Sequence, residues 1–153
     1  RPDETWTQHC WGVTCVNDME AMLSYLPIST DNKDQALAGL VRCYERMMMR
    51  SHTNGGYVNL LDECWKMCEK FNVNIVIMYD HVSCKNVGGL HGLFEDQARE
   101  RGIHLIWVPH DVMDPRTVSR VAMRDAFNKY MTNVFREEPL DPTFVDYEDP
   151  LTW

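Results

Sequence analysis

A nearly continuous apolar run, rich in β-branched side chains, occupies residues 73–80. Such a run is typical of a strand covered on both faces, as in a parallel sheet between helices. A second apolar run occupies residues 103–108, after a helical pattern over 90–101 that ends at Gly102. The order strand, helix, strand predicts two adjacent parallel strands joined by a right-handed crossover. We therefore predict an α/β fold, a parallel-sheet, Rossmann-like open domain covered by helices.

Two strands are too few for an independent sheet of this class. We therefore expect that upstream sequence completes the sheet and that this chain is the C-terminal portion of a longer subunit.

Helical spacing of apolar residues predicts two helices between residue 29 and the first strand. One starts at the polar residues 29–32 and ends at Gly55 and Gly56, and the next starts at Tyr57. The apolar positions of the earlier helix are Leu37, Leu40, Val41, Tyr44, Met47 and Met48. The stripe of the helix that starts at Tyr57 consists of Tyr57, Leu60, Leu61, Cys64, Trp65, Cys68 and Phe71.

The last predicted helix starts at Pro115, with Asp114 as its N-cap. Its predicted buried stripe consists of Val118, Val121, Ala122, Phe127, Tyr130, Met131, Val134 and Phe135. Near the other end of the chain, residues 17–26 predict a short helix that Pro27 ends.

Apolar residues show no sustained periodicity at the two ends of the chain. Residues 1–16 predict a loop packed against the rest of the protein, and the acidic, proline-containing residues 137–153 predict an extended tail that packs on a surface. We accordingly predict three parts: an N-terminal helical and loop segment over 1–56, an α/β domain over 57–136, and the acidic tail.

Composition narrows the class of protein. A formal net charge of −8 argues against a general nucleic-acid binder, because such proteins carry a basic surface. No apolar run approaches the roughly 20 residues that cross a bilayer, so we expect no membrane span. The six cysteines lie in apolar helical patterns and one loop, and the sequence holds no Asn-x-Ser/Thr site, so we expect reduced thiols and a cytoplasmic location.

The loop after the first predicted strand is the main candidate site. Its chemically capable residues, with the two glycines that let the chain turn, are His81, Ser83, Cys84, Lys85, Gly88 and Gly89. Ligand sites in open α/β sheets lie at the carboxyl ends of strands, where this loop falls. His110 lies in the loop that follows the second predicted strand. We therefore expect His81, Lys85 and His110, as catalytic candidates, to line one cleft with Cys84.

Several interpretations of the cysteines stay open on the residues alone. Cys84 could be a nucleophile activated by a neighbouring cation and base, a buried structural thiol, or a metal ligand. A site at His9, Cys10 and Cys15 matches no common zinc spacing. The Walker pattern of a phosphate-binding loop is absent around Gly88, which argues against an ATPase.

Three segments, taken in order, resemble a known family. They are Asp-His-Val-Ser-Cys-Lys at 80–85, Gly-Ile-His-Leu-Ile-Trp-Val at 102–108 and His-Asp-Val-Met-Asp-Pro-Arg-Thr at 110–117. Their order and spacing resemble the C-terminal part of the 2-hydroxyacyl-CoA dehydratase and benzoyl-CoA reductase family, over residues 55–139. The chain departs from many relatives in having Val82 and Ser83 where an arginine often precedes the cysteine.

The resemblance implies an oxygen-sensitive iron–sulfur enzyme that acts on a CoA thioester. Cys84 would be one metal ligand of a 4Fe–4S cluster, Gly88 and Gly89 would give the backbone room to approach it, and the other ligands would lie outside this chain. The implied partners are a second homologous subunit and ATP-hydrolysing activator or electron-transfer subunits.

The segments 114–120, 123–131 and 138–142 favour a benzoyl-CoA reductase subunit of the B type. The alternative within the family is a 2-hydroxyacyl-CoA dehydratase, which eliminates water through a radical. A further alternative is a non-catalytic subunit-contact domain, for which the tryptophan-rich start and the aromatic tail would be interface segments.

Overall fold

The computed structural model describes residues 4–19, 27–111, 113–114 and 116–146. In chain order its elements are α1 (Glu4–Trp11), α2 (Lys33–Glu45), α3 (Met48–Gly55), α4 (Tyr57–Phe71), β1 (Ile75–His81), α5 (Lys85–Gly88), α6 (His91–Arg101), β2 (His104–His110) and α7 (Arg120–Tyr130). A π-helical turn at Met131–Phe135 continues α7, and a 3-10 turn lies at Pro142–Phe144. None of the helices in these ranges is long and apolar enough to cross a membrane.

The chain packs as two units. One is Val16–Asn72, and the other combines the chain up to Cys15 with the chain from Val73 onward. This division differs from the predicted segments, because α1 packs in the unit that holds the sheet and α4 belongs to the unit of the preceding helices.

The predicted strand pair is confirmed as a parallel sheet of β1 and β2. Its register runs from Ile75 opposite His104 to His81 opposite His110, so both strands end together. Each strand extends further at its carboxyl end than the apolar runs predict, because main-chain pairing continues through the histidines. The mixed helix and strand content agrees with the α/β class.

Side-chain alternation gives the sheet two different faces. On one face Ile106 and Val108, each 1% exposed, pack into a core with Trp6 of α1 and Phe127 of α7. On the other face Trp107 meets Phe94 of α6 edge to face, with ring centroids 6.2 Å apart. Helices therefore cover both faces around β2.

The prediction of a loop over residues 1–16 is wrong, because Glu4–Trp11 forms α1. Trp6 and Cys10 lie one helical turn apart and are buried, as is Trp11. The Trp6 indole N–H donates to the Phe144 carbonyl at 2.7 Å, and the Trp11 indole N–H donates to Asn128 Oδ1 at 2.8 Å. The helix is stabilised by partners far along the chain, which a local pattern cannot reveal.

The last helix starts later than predicted. Ser119, not Asp114, is the N-cap of α7, and its hydroxyl accepts from the Ala122 N–H at 3.1 Å. The predicted start at Pro115 lies outside the described residues. The side chains that α7 and its continuation bury are Met123, Arg124, Phe127 and Met131, whereas Val121 and Val134 are both 51% exposed.

The start of the predicted extended tail is tied to the sheet-containing unit. The Leu140 N–H donates to the Cys10 carbonyl at 2.7 Å, and Asn128 Nδ2 donates to the Val145 carbonyl at 3.2 Å. Phe144 packs against the core, whereas Leu140 is 72% exposed. The aromatic residues expected further along, Tyr147 and Trp153, lie outside the described residues.

In the unit Val16–Asn72, α4 has its predicted start at Tyr57 and ends at Phe71, and it buries Leu61, Cys64, Trp65 and Cys68. The end positions of its predicted stripe, Tyr57 and Phe71, are exposed. The predicted helix after 29–32 is divided into α2 and α3, and Asn32 caps α2 by accepting from the Gln35 N–H at 2.9 Å. The helix predicted over 17–26 lies mostly outside the described residues.

Candidate functional site

The candidate site lies at the carboxyl edge of the sheet, where parallel pairing brings the two strand-end loops together. His81 and His110 are paired in register, and their rings meet edge to face at 5.8 Å. The Val82 N–H donates to the His110 carbonyl at 3.1 Å, which ties the first loop to the end of β2. Tyr79 packs against His110 at 5.1 Å between ring centroids.

Cys84 follows β1 in a tight turn. Its N–H donates to the His81 carbonyl at 2.9 Å, and its own carbonyl accepts from the Gly88 N–H at 3.0 Å. The residue is half-buried and immediately precedes α5, of which the exposed Lys85 is the first residue. The thiol is therefore attached to a backbone that hydrogen bonds hold on both sides.

The two glycines do not serve the turn as predicted. Neither Gly88 nor Gly89 has a positive φ, so neither needs the backbone freedom of glycine to turn. A Cβ at Gly89 would lie 3.1 Å from the Lys85 carbonyl oxygen, whereas a Cβ at Gly88 would meet no atom. Of these two glycines, only Gly89 has little room for a Cβ, because the carbonyl of Lys85 in α5 lies close to it.

Both ring nitrogens of His81 have neighbours from the chain. Nδ1 accepts from the Ser83 backbone N–H at 3.2 Å and lies 3.0 Å from the Ser83 hydroxyl. Nε2 lies 3.9 Å from Asp111 Oδ1. The side chains of His81 and Asp111 are only 17% and 7% exposed, so this contact is largely shielded from solvent.

Asp111 is held by donors from the loop that follows β2. The Thr117 hydroxyl donates to Oδ2 at 2.5 Å, and the N–H groups of Met113 and Asp114 donate to Oδ1 at 2.9 and 3.3 Å. The Thr117 hydrogen bond is the main cause that lowers the pKa of Asp111, with the Met113 N–H next and burial opposing both. The favoured state of this side chain is therefore the carboxylate.

Asp114 and Arg116 form a bidentate pair on the same loop. Arg116 Nε and a terminal guanidinium nitrogen each donate to the Asp114 carboxylate at 2.8 Å. These bonds lower the pKa of Asp114 and raise that of Arg116. Because the Arg116 side chain is 87% exposed, the pair orders the loop more than it stabilises the fold.

A second cluster of polar side chains was missed in the sequence. His91 Nε2 lies 3.2 Å from Asp80 Oδ1, a contact without hydrogen-bond alignment, and the His91 ring stacks on Trp107 at 3.6 Å. Asp80 and His81 are adjacent in β1 and therefore point to opposite faces. The alternation of side chains along the strand could therefore have shown from sequence that Asp80 does not lie in the same cluster as His81.

None of the six cysteines forms a disulfide. Cys10, Cys64 and Cys68 are buried, and burial is the main cause that raises the pKa of Cys10. Across the described ranges, no group of three or more His, Cys, Asp or Glu side chains is arranged to hold a metal ion.

The arrangement joins a half-buried thiol, two imidazoles and a largely shielded carboxylate at one edge of a parallel sheet. Comparisons with protein-family models, with curated proteins and with solved structures find no match to this chain.

Proposed function

We propose that this chain is part of an oxygen-sensitive iron–sulfur enzyme that acts on CoA thioesters, and specifically a subunit of an ATP-dependent reductase of aromatic acyl-CoA. The observation that carries the proposal is the register of β1 and β2. It supports a common site for the Cys84 loop and the His110–Asp111 loop, whose sequences carry the family resemblance.

The Cys84 thiol is compatible with an iron–sulfur cluster whose other ligands come from outside this chain. A thiolate is the usual ligand of an iron–sulfur cluster, and Cys84 is the half-buried thiol of the strand-end loop. Three further ligands would come from outside the described residues. When bound, the cluster would supply low-potential electrons.

The residues around Cys84 have separate proposed roles. His81 and His110 would shield the thiolate from water, and Lys85 would offer a positive charge that favours a reduced, more negative cluster. Asp111 would keep the adjoining loop in place. A half-buried site of this kind suits electron transfer, because water and oxygen would otherwise quench a reactive substrate.

The proposed partners follow from the same chemistry. An electron at very low potential needs coupling to ATP hydrolysis, which an activator or electron-transfer subunit would supply, and a second homologous subunit would complete the assembly. The proposed location is the cytoplasm, where thiols stay reduced.

The test uses the intact subunit with its partners under anoxic conditions, with ATP and a low-potential donor. We expect Cys84→Ser to lose cluster iron and sulfide together with turnover, whereas Cys43→Ser, which changes another half-buried cysteine, keeps both. Full cluster content and full turnover in Cys84→Ser would overturn the proposal. Turnover of 2-hydroxyacyl thioesters in place of aromatic ones would identify the dehydratase reaction.

A second candidate function is a subunit-contact domain. It is favoured by the exposed apolar face of α2, where Leu37, Leu40, Val41 and Tyr44 are each about half exposed or more. Leu40→Lys would then weaken assembly with the partner subunit without changing cluster content. Unchanged assembly in that variant would remove this candidate.

A further inference from the structure

We propose that His81 is a positioning residue for Cys84, and that Asp111 and Ser83 hold its ring in that role. The inference rests on the proposed function only in that the thiol so positioned is the proposed cluster ligand.

Nδ1 of His81 accepts a hydrogen bond, and Nε2 faces a carboxylate. A backbone N–H can only donate, so the Ser83 N–H requires a lone pair on Nδ1. In the neutral ring the proton therefore lies on Nε2, on the side of the Asp111 carboxylate. With Nδ1 accepting from the loop and Nε2 facing the largely shielded Asp111 carboxylate, the ring is placed to fix the structure of the turn.

Asp111 is a fixed anchor for this contact. Its carboxylate accepts from Thr117, Met113 and Asp114, and its side chain is 7% exposed. Because those donors all belong to the loop after β2, Asp111 connects that loop to His81 at the end of β1. The chain of contacts from Thr117 to Ser83 thus joins the two strand-end loops through side chains.

Both the backbone and the side chain of His81 accept hydrogen bonds from the turn that carries Cys84. The His81 carbonyl accepts from the Cys84 N–H at 2.9 Å, while the His81 ring accepts from the Ser83 N–H at 3.2 Å. A single residue therefore binds two consecutive N–H groups of the turn, one through its backbone and one through its side chain. Mutating a group that orients a metal ligand typically lowers metal affinity or activity about 10- to 100-fold.

The first test measures the alkylation rate of Cys84 in the whole chain, by peptide mapping after timed exposure to iodoacetamide. We expect His81→Leu to raise the rate about fivefold, the effect of losing one hydrogen bond from a closed turn. Asp111→Ala should raise the rate by a smaller factor, because it removes a 3.9 Å contact that fixes the ring. His81→Asn should recover part of the protection, because its carboxamide oxygen stands near the position of Nδ1 and accepts from the Ser83 N–H without reaching Asp111.

Two controls separate positioning from general loosening. Asp80→Asn changes the neighbouring carboxylate, which faces His91, and should leave the Cys84 rate unchanged. Cys10, buried in the core of the same unit, reports general opening of that unit in the same digests. If Cys10 reacts faster in step with Cys84 in both His81→Leu and Asp111→Ala, the substitutions loosen the whole unit and the proposal is overturned.

The second test uses the intact subunit with its partners. We expect Asp111→Ala and His81→Asn to keep iron and sulfide but to broaden the electron paramagnetic resonance signal of the reduced cluster, because the Cys84 thiolate is held less uniformly. Alkylation rates within twofold of the parent in both His81→Leu and Asp111→Ala would refute positioning, whatever the cluster does. A cluster that persists in Cys84→Ser would refute the proposed function and leave the alkylation result standing.

Discussion

His91 stacks on Trp107 with ring centroids 3.6 Å apart and an interplanar angle of 17°. His91 is the first residue of α6, and Trp107 lies in β2, so the stack fixes the start of the crossover helix on the sheet. Phe94, one turn further along α6, is fully buried and meets the same indole with ring planes at 83°. The aromatic contacts therefore position the helix that follows the Cys84 loop.

His91→Ala should lower the free energy of unfolding by about 1 kcal/mol, the usual contribution of an aromatic pair beyond its buried area. Urea denaturation followed by tryptophan fluorescence and circular dichroism measures it. Asp80→Asn is the matched control for the carboxylate contact, which is 42% exposed on the aspartate side. We expect Asp80→Asn to lower the free energy of unfolding by less than about 0.5 kcal/mol. A loss equal to that of His91→Ala would show that the contact with Asp80, and not the aromatic stack, provides the stabilisation.

The parts of the fold that follow from local pattern could be predicted. The β-branched runs predicted β1 and β2 and their parallel pairing, and the double glycine at 55–56 marked the boundary before α4. Helix α1 could not be predicted, because it has two turns and its tryptophans bind groups such as the Phe144 carbonyl, 138 residues away in sequence. The predicted start of α7 lies too early in the chain. The Asp114 carboxylate binds Arg116 and does not cap the helix, whose N-cap is Ser119.

The candidate site was predictable to a similar extent. Once the strands are parallel, their ends meet, so His81 and His110 could be placed side by side from sequence. The contact between His81 and Asp111 could not, since it depends on a loop folded by the Thr117 hydroxyl six residues beyond the carboxylate. Side-chain directions in loops depend on such turn contacts, for which sequence spacing gives no rule.

The end of α6 depends on a left-handed residue, as the sequence indicated. Gly102 has a φ of +66° and is the C-cap of the helix. Gly102→Ala should destabilise the protein by about 1 kcal/mol, because a Cβ disfavours this backbone conformation. The control is Gly92→Ala in the same helix, where a Cβ would meet no atom. We expect that change to stabilise by up to about 1 kcal/mol, and equal thermal midpoints for the two variants would contradict the argument.

Gly39 is the buried residue of α2, and a Cβ there would lie 2.8 Å from Ile28 Cγ2. Gly39→Ala gains about 1 kcal/mol of helix propensity but forces Ile28 to move, at a typical cost of 1–3 kcal/mol for overpacking, so we expect net destabilisation of about 1 kcal/mol. Ile28→Ala removes Cγ2, so in that background Gly39→Ala should cost less stability than it does in the parent. Additive effects in a double-mutant cycle of thermal midpoints would show that the two residues do not interact.

The carboxylate of Asp111 should make stability depend on pH at the acid end. Its pKa in the folded chain lies below the ordinary value of about 4, so folding is favoured more when the group is ionised. That contribution is fully present above about pH 4 and is lost as the pH falls through the lower, folded-state pKa. Stability measured by urea denaturation should therefore decrease as the pH falls below about 4.

Thr117→Val removes the largest cause of this depression while leaving the carboxylate in place. We expect the variant to be less stable than the parent at pH 7, with the difference shrinking as the pH falls below the folded-state pKa, because a protonated Asp111 gains less from the hydroxyl. Thr143→Val is the matched control, since Thr143 is the main cause of the lowered pKa of Asp141. Both variants should flatten the acid limb of the stability curve, but only Thr117→Val should also raise the alkylation rate of Cys84. A loss of stability that is the same at pH 7 and at pH 2 would mean that Thr117 acts through packing and does not stabilise the charged form of Asp111.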